Sequence, residues 1–283
     1  MSTLTDTVTL KDGLRLDTIL SIPDNQRACL VAAPCMGGSV HMYRPPLERI
    51  NEAGCGCILY NPRGHGASEG EMVIDDALGD LDDIITRFVP ADVPLIMVGH
   101  SAGANMLLHF GARYRRPSRF ILVAPVLNSR ESLFYMYRSG TIGEFLDILA
   151  SYTDDSDTMR SILATDAWLD PETWRKRGMR AILDVLPSRM RIGSFLENLF
   201  IPGYNAYDHF AEFSPITSVL LSRADTWYPL ETTVRLAETH GAKFMYLEEA
   251  RNHFFAGGWN AAWQHTIDAC RTAVCDGAAA AQP

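Results

Sequence analysis

The sequence predicts an α/β fold: a mostly parallel central sheet flanked by helices, with a helical cap inserted near the middle of the chain. Three observations predict it. Short apolar runs alternate with helical patterns from Thr5 to Ala124, the alternation stops near Asn128, and it returns at Ile216. Strands that alternate with helices build a parallel sheet covered on both faces. At 283 residues the chain has room for one such domain and its insertion.

Taken in order, Thr5–Leu10 and Leu14–Ile22 flank Lys11-Asp12-Gly13 and read as a hairpin. Ala28–Ala33 is a short buried strand, a helix spans about Pro46–Ala53, and Cys57–Tyr60 is the next strand. Between Asp75 and Val89 the residues Ala77, Leu81, Ile84, Ile85 and Phe88 recur at helical spacing, with acidic residues opposite. Strand Leu95–Val98, a helix from Ala102 to about Tyr114 and strand Phe120–Ala124 complete the first half. From Arg130 to Phe213 there are helical stretches, many aromatic residues and no convincing strand. The rhythm resumes with strand Ile216–Ser222, helix Leu230–His240, strand Lys243–Leu247 and helix Trp259–Val274. The expected division is a core of residues 1–129 and 214–283 and a cap of residues 130–213. The tail Gly277–Pro283 is expected to fray.

Composition narrows the partners. With 25 basic and 34 acidic residues the formal charge is −9, and no basic stripe is available to neutralise phosphates, which argues against nucleic acid. No apolar run approaches the ~20 residues of a membrane helix. The stretch Met1–Gly13 alternates polar and apolar residues and does not read as a signal peptide. The six cysteines are therefore expected as free thiols in a reducing cytoplasm. Cys55-Gly56-Cys57 lacks the second Cys or His pair of a zinc site, and no G-x-G-x-x-G follows the first strand. No metal or cofactor is implied.

Chemistry concentrates at Gly99-His100-Ser101-Ala102-Gly103, directly behind the apolar run Val93–Val98. This G-x-S-x-G pattern fits a sharp strand-to-helix turn that exposes a serine at the end of a sheet, where glycines leave room for the turn. A serine hydroxyl needs a base to take its proton, and the base needs a carboxylate to fix its tautomer. His253, past strand Lys243–Leu247, is the candidate base; Asp225, past strand Ile216–Ser222, is the candidate acid, with Asp208 in the cap as its competitor. An oxyanion needs backbone N–H donors already in place. Ala102, opening a helix, and Met36, in the loop Ala33-Pro34-Cys35-Met36-Gly37-Gly38-Ser39, are the candidates. Cys35 is the alternative donor, and as a nucleophile it would need a depressed pKa. Cys35, His100, Phe134 and Trp227 are candidate substrate-binding residues, although the His100 side chain is expected to point away from Ser101.

Together these residues resemble the α/β-hydrolase superfamily, in the style of its serine aminopeptidase-like and monoacylglycerol-lipase-like members. The matching segments are Pro34–Ser39, Asn61-Pro62-Arg63-Gly64-His65-Gly66-Ala67-Ser68, the elbow, Asp225 and His253. The resemblance covers the core from Ala28 to the last helix and not the cap. Pro34-Cys35 stands where the family usually has His-Gly, and Asn61-Pro62 departs from its usual Asp. The resemblance implies a serine hydrolase acting on a small-molecule ester or thioester, with a carrier-protein- or CoA-bound acyl group among the candidates. An acyltransferase, a peptidase, a carbon–carbon hydrolase and a non-catalytic ligand-binding protein share the same constellation.

Overall fold

The computed structural model describes residues 3–36, 38–43, 45–114, 118–143 and 205–280. Its centre is an eight-stranded sheet of β1 (Thr3–Thr9), β2 (Arg15–Ile22), β3 (Ala28–Ala33), β4 (Cys55–Tyr60), β5 (Leu95–His100), β6 (Ser118–Val123), β7 (Thr217–Leu221) and β8 (Lys243–Tyr246). The spatial order is β1-β2-β4-β3-β5-β6-β7-β8. The β1–β2 and β2–β4 pairs are antiparallel and the remaining pairs are parallel. The expected α/β architecture is the one observed.

The burial pattern explains the strand sequences. Every residue of β3, β4 and β5 is buried, as a strand covered on both faces requires, so Ala-Cys-Leu-Val-Ala-Ala carries no polar residue. In β2, nearer the edge, buried residues alternate with partly exposed ones over most of its length. The helices are α1 (Leu47–Glu52), α2 (Ile74–Phe88), α3 (Ala102–Tyr114), α4 (Ser129–Ser139), α5 (Tyr207–Phe213), α6 (Leu230–His240) and α7 (Trp259–Ala280). In α2 the buried face is Ile74, Ala77, Leu78, Leu81, Ile84 and Ile85, and Asp75 and Asp76 complement the positive end of its dipole. Both α4 and α6 stop at a glycine in the left-handed region, Gly140 (φ 76°) and Gly241 (φ 75°).

One expectation changes on the structure. The last helix does not end at Val274: α7 continues through Ala280, because its tail is alanine-rich and alanine is the strongest helix former. Of the expected cap, only its two ends fall among the described residues, and both are helical, α4 and α5. They meet at a neck where Asn128 and Asn205 form an antiparallel bridge and the Ala206 amide donates to the Leu127 carbonyl at 2.8 Å. The aromatic residues Phe145, Trp168, Trp174, Phe195, Phe200 and Tyr204, and the cap's run of arginines from Arg160 to Arg191, lie outside the described residues.

Candidate active site

The site forms at the C-terminal ends of the parallel strands. β5 delivers His100, and the next residue, Ser101, adopts φ 55°, a conformation uncommon for a residue with a side chain. The turn is held from both sides: Ser101 N–H donates to the Val123 carbonyl at 3.0 Å, and its own carbonyl accepts from Ala104 and Val126. The flanking glycines are steric requirements. A Cβ on Gly99 would lie 2.4 Å from Ala104 Cα, and one on Gly103 would lie 2.4 Å from the Pro34 carbonyl oxygen. The second close approach presses the loop after β3 against the first turn of α3. That contact sets Cys35 and Met36 beside Ala102, whose amide belongs to the helix turn that has no partner within the helix.

His253 bridges the serine and the acid. Its Nε2 lies 2.7 Å from Ser101 Oγ and its Nδ1 lies 2.9 Å from Asp225 Oδ2. All three residues are buried, with 5 % or less of their surface exposed, so the interaction is shielded from water. A carboxylate only accepts, so Nδ1 carries the proton and Nε2 is left as the base facing the hydroxyl. The second Asp225 oxygen accepts from the Trp227 amide at 2.9 Å, and the Trp227 ring stacks on His253 with centroids 4.6 Å apart and planes 10° apart. Ser222 Oγ donates to the Ala250 carbonyl at 2.7 Å, tying the acid's loop to the histidine's loop. Asp208, the competing acid, is exposed on α5.

His100 takes no part in the pocket wall, which corrects its candidacy for substrate binding. The ring is 1 % exposed; its Nε2 donates to the His253 carbonyl at 2.8 Å and its Nδ1 accepts from the Tyr43 hydroxyl at 3.0 Å. Tyr43 in turn accepts from the Cys35 amide at 2.8 Å. A chain of hydrogen bonds thus runs from the loop after β3 to the backbone of His253. Burial pushes the His100 pKa down to about 3, with the neighbouring His253 adding to the effect, so the ring stays neutral and the relay keeps its direction.

The Asn61–Ser68 motif anchors the same loop. Asn61, fully buried, accepts from the Val40 amide at 2.8 Å and donates to Asp17 at 2.6 Å and Ser39 Oγ at 3.1 Å. Arg63 forms a two-pronged pair with Asp80, and His65 is buried, which pushes its pKa down to about 4. Cys35 lines the pocket, and burial pushes its thiol up to about 11, so it is not a thiolate at neutral pH.

The pocket around Ser101 is lined by Cys35, Met36, Ala102, Val126, Ser129, Ser132, Leu133, Met136, Trp227, His253 and Phe254. Of the candidates, Met36, Ala102, Cys35 and Trp227 lie on this lining. Phe134 is not on this wall: it is half-buried with the Arg130 guanidinium 5.7 Å from its ring centroid. The residues the sequence reading missed are Val126, Phe254 and the α4 face Ser129, Ser132, Leu133 and Met136. Their spacing of three and four was the available signal, since it is one face of a helix. Buried, unreactive surroundings with one activated hydroxyl suit acyl transfer to a serine.

Comparison with known proteins places the chain in a family. The family model described as "Serine aminopeptidase, S33" matches residues 24–173, over half of the chain, taking in the β3 loop and the elbow and ending before Asp225 and His253. A monoacylglycerol lipase of Mycolicibacterium smegmatis is 28% identical over 132 residues, which is 43% of this chain and 46% of that protein. The chain thus matches less than half the length of that relative. Among solved structures, the alpha/beta hydrolase GrgF from Penicillium sp. sh18 aligns with a TM-score of 0.61 at 17% identity, covering 97% of this chain and 99% of its own. The 2-hydroxy-6-oxo-6-phenylhexa-2,4-dienoate hydrolase of Rhodococcus sp. strain RHA1 aligns at 0.58 and 16% identity, covering 95% and 99%. At such identities these two structures speak to the fold alone.

Proposed function

We propose that this chain, a member of the serine aminopeptidase S33 family, is an α/β-fold hydrolase that cleaves a carboxylic ester or thioester through an acyl-enzyme on Ser101. The observation that carries this reading is the buried chain of contacts from Ser101 Oγ to His253 to Asp225, at 2.7 and 2.9 Å. His253 removes the hydroxyl proton as Ser101 attacks the carbonyl carbon, and Asp225 stabilises the imidazolium that forms. The amides of Ala102 and Met36 hold the oxyanion. His253 then protonates the departing alcohol or thiol, and water, activated by the same histidine, releases the acid and restores Ser101.

The apolar wall of Val126, Leu133, Met136, Trp227 and Phe254 favours an acyl chain over a charged peptide terminus. The likeness to a monoacylglycerol lipase supports an ester substrate in the same direction. We assign residues 130–213 to a cap over this pocket, a reading supported by the closed neck at Asn128 and Asn205. A reducing cytoplasm suits the six free cysteines, five of them buried. Among the described residues no helix is long and apolar enough to cross a membrane.

The test is a panel of p-nitrophenyl esters and acyl thioesters of increasing chain length, assayed with wild type and Ser101→Ala. We expect turnover by wild type with a chain-length optimum, and a loss of at least about three orders of magnitude in the variant. Equal rates in the two proteins would overturn the reading. Turnover confined to an added acyl acceptor would instead identify a transferase.

A further inference from the structure

Apart from Ser101 and His253, the polar side chains on the pocket wall are few, and one of them is unexplained. Ser129 lines the pocket with Ser101, is 1 % exposed, and its Oγ is buried without a hydrogen-bond partner among the described residues. Its neighbours on the wall are Val126, Leu133 and Met136, which are apolar, and Ser132, the other hydroxyl of the α4 face. Buried hydroxyls are almost always paired, because an unmade bond forfeits the water it displaced. A valine or alanine would fill that place in an apolar acyl pocket without the penalty.

The position of Ser129 is also fixed with unusual thoroughness. The segment leading to it leaves β6 through Ala124, at φ 43°, and the Val126 amide donates to the Ser101 carbonyl at 3.2 Å. Asn105, fully buried on α3, donates to the carbonyls of Val126 and Leu127, both at 3.0 Å. Ala206 donates to the Leu127 carbonyl from the far side of the neck, and Asn128 caps α4 by accepting from the Glu131 amide at 3.1 Å. Ser129 therefore opens an eleven-residue helix that is bolted to the nucleophile's own backbone. The positive end of that helix dipole lies at the same place. A buried hydroxyl at a helix N-terminus, on the wall of the pocket that holds Ser101 and unpaired among the described residues, has the makings of a recognition group.

We propose that Ser129 is a specificity-determining residue that donates a hydrogen bond to an oxygen atom of the substrate lying a few bonds from the scissile carbonyl. The substrate class is then an oxygen-substituted short ester, with the hydroxyl or keto oxygen in the acyl half or in the alcohol half. This inference rests on the ester-hydrolase reading above. It goes beyond it by selecting, among acyl compounds, those that carry a second polar group. Sites built to bond a substrate oxygen discriminate against the analogue that lacks it, because their own polar group is then left unpaired.

The experiment compares matched pairs on wild type, Ser129→Ala and Ser129→Thr. One pair places the oxygen in the acyl half, p-nitrophenyl β-hydroxybutyrate against p-nitrophenyl butyrate; the other places it in the alcohol half, glyceryl monobutyrate against propyl butyrate. In wild type one pair shows a kcat/KM ratio that favours the oxygenated ester, and which pair it is locates the oxygen. Ser129→Ala lowers that ratio about tenfold, the worth of one hydrogen bond to a buried group, and Ser129→Thr, which keeps the hydroxyl, retains most of it. A ratio unmoved by Ser129→Ala, in a variant that melts within a few degrees of wild type, overturns the proposal and leaves the hydrolase reading standing. Wild type that turns over neither member of either pair, and that no fluorophosphonate labels, removes the hydrolase reading and the proposal with it.

Discussion

Two neighbouring strands end at the same pocket, and each delivers a small nucleophilic side chain to it. β3 and β5 run parallel with Ala33 opposite Gly99; Ser101 follows β5 and Cys35 follows β3. A thiolate is the stronger nucleophile in isolation. Here the order is reversed by surroundings. Ser101 Oγ has the His253 base at 2.7 Å, whereas the Cys35 thiol is pushed up to about 11 by burial. Cys35 is also packed tight, since a Cβ on Gly38 would come within 2.6 Å of its sulfur. Its amide is committed to Tyr43, so the residue holds the loop rather than reacting. On the proposed mechanism the partner, and not the residue type, decides which strand end carries chemistry.

The sharpest way to break this comparison is to remove the partner's support. Asp225→Asn leaves the geometry but misorients the His253 tautomer, and kcat should fall by about three to four orders of magnitude. Asp208→Asn, at an exposed position on α5, should stay within about twofold. The reverse pattern in steady-state kinetics would move the acid to the cap and take Asp225 out of the proposed mechanism.

A second prediction concerns the contact that joins the two strand ends. Gly103→Ala drives a Cβ to 2.4 Å from the Pro34 carbonyl and 2.6 Å from the Ala33 carbonyl, and backbone cannot step aside as a side chain can. Denaturant unfolding should show a loss of about 1–3 kcal/mol or more, as for other overpacked sites. Gly79→Ala, on α2 with nothing within 4 Å of the new Cβ, should be neutral or stabilising by up to about 1 kcal/mol. Similar behaviour of the two variants would contradict the claim that the glycine at the elbow is a steric requirement.

Smaller effects attach to Cys35 itself. Cys35→Ser should keep kcat within about tenfold of wild type, and iodoacetamide at pH 8 should label the exposed Cys275 long before Cys35 in the folded protein. Rapid labelling of Cys35 together with loss of activity in Cys35→Ser would restore it as a nucleophile.

The least local prediction is an acid limb of stability. His65 and His100 titrate near 6.5 when unfolded, but burial lowers them to about 4 and about 3 in the native state. Between those values the unfolded chain binds more protons, so stability is retained above pH 6.5 and falls as pH drops toward 4 and 3. The slope contributed is on the order of 1 kcal/mol per pH unit for each histidine. Denaturant midpoints flat from pH 7 to pH 4.5 would contradict the buried neutral assignment. Tyr43→Phe, which removes the donor to His100, tests whether the relay from the β3 loop matters to turnover.

What the sequence disclosed and what it hid divide along a physical line. β3 and α6 were legible to the residue, because a strand buried on both faces is a bare apolar run and a glycine at 241 ends the helix. The elbow was legible because its steric needs are local, packed into Gly99 to Gly103. The α4 wall was not. Ser129, Ser132, Leu133 and Met136 line the pocket only because the Val126 amide and the Asn105 side chain fasten that helix beside Ser101, and such contacts leave no local pattern. His100 was misplaced among substrate contacts for the same reason: its partners, Tyr43 and the His253 carbonyl, are 57 and 153 residues away in the chain.

The most direct measurement is intact-mass and peptide-mapping analysis of wild type, Ser101→Ala and Asp225→Asn after a fluorophosphonate. The account predicts a single adduct on Ser101 in wild type, none in Ser101→Ala and a strongly slowed one in Asp225→Asn. A well-folded wild type that takes up no adduct, or one whose adduct maps elsewhere than Ser101, would contradict it.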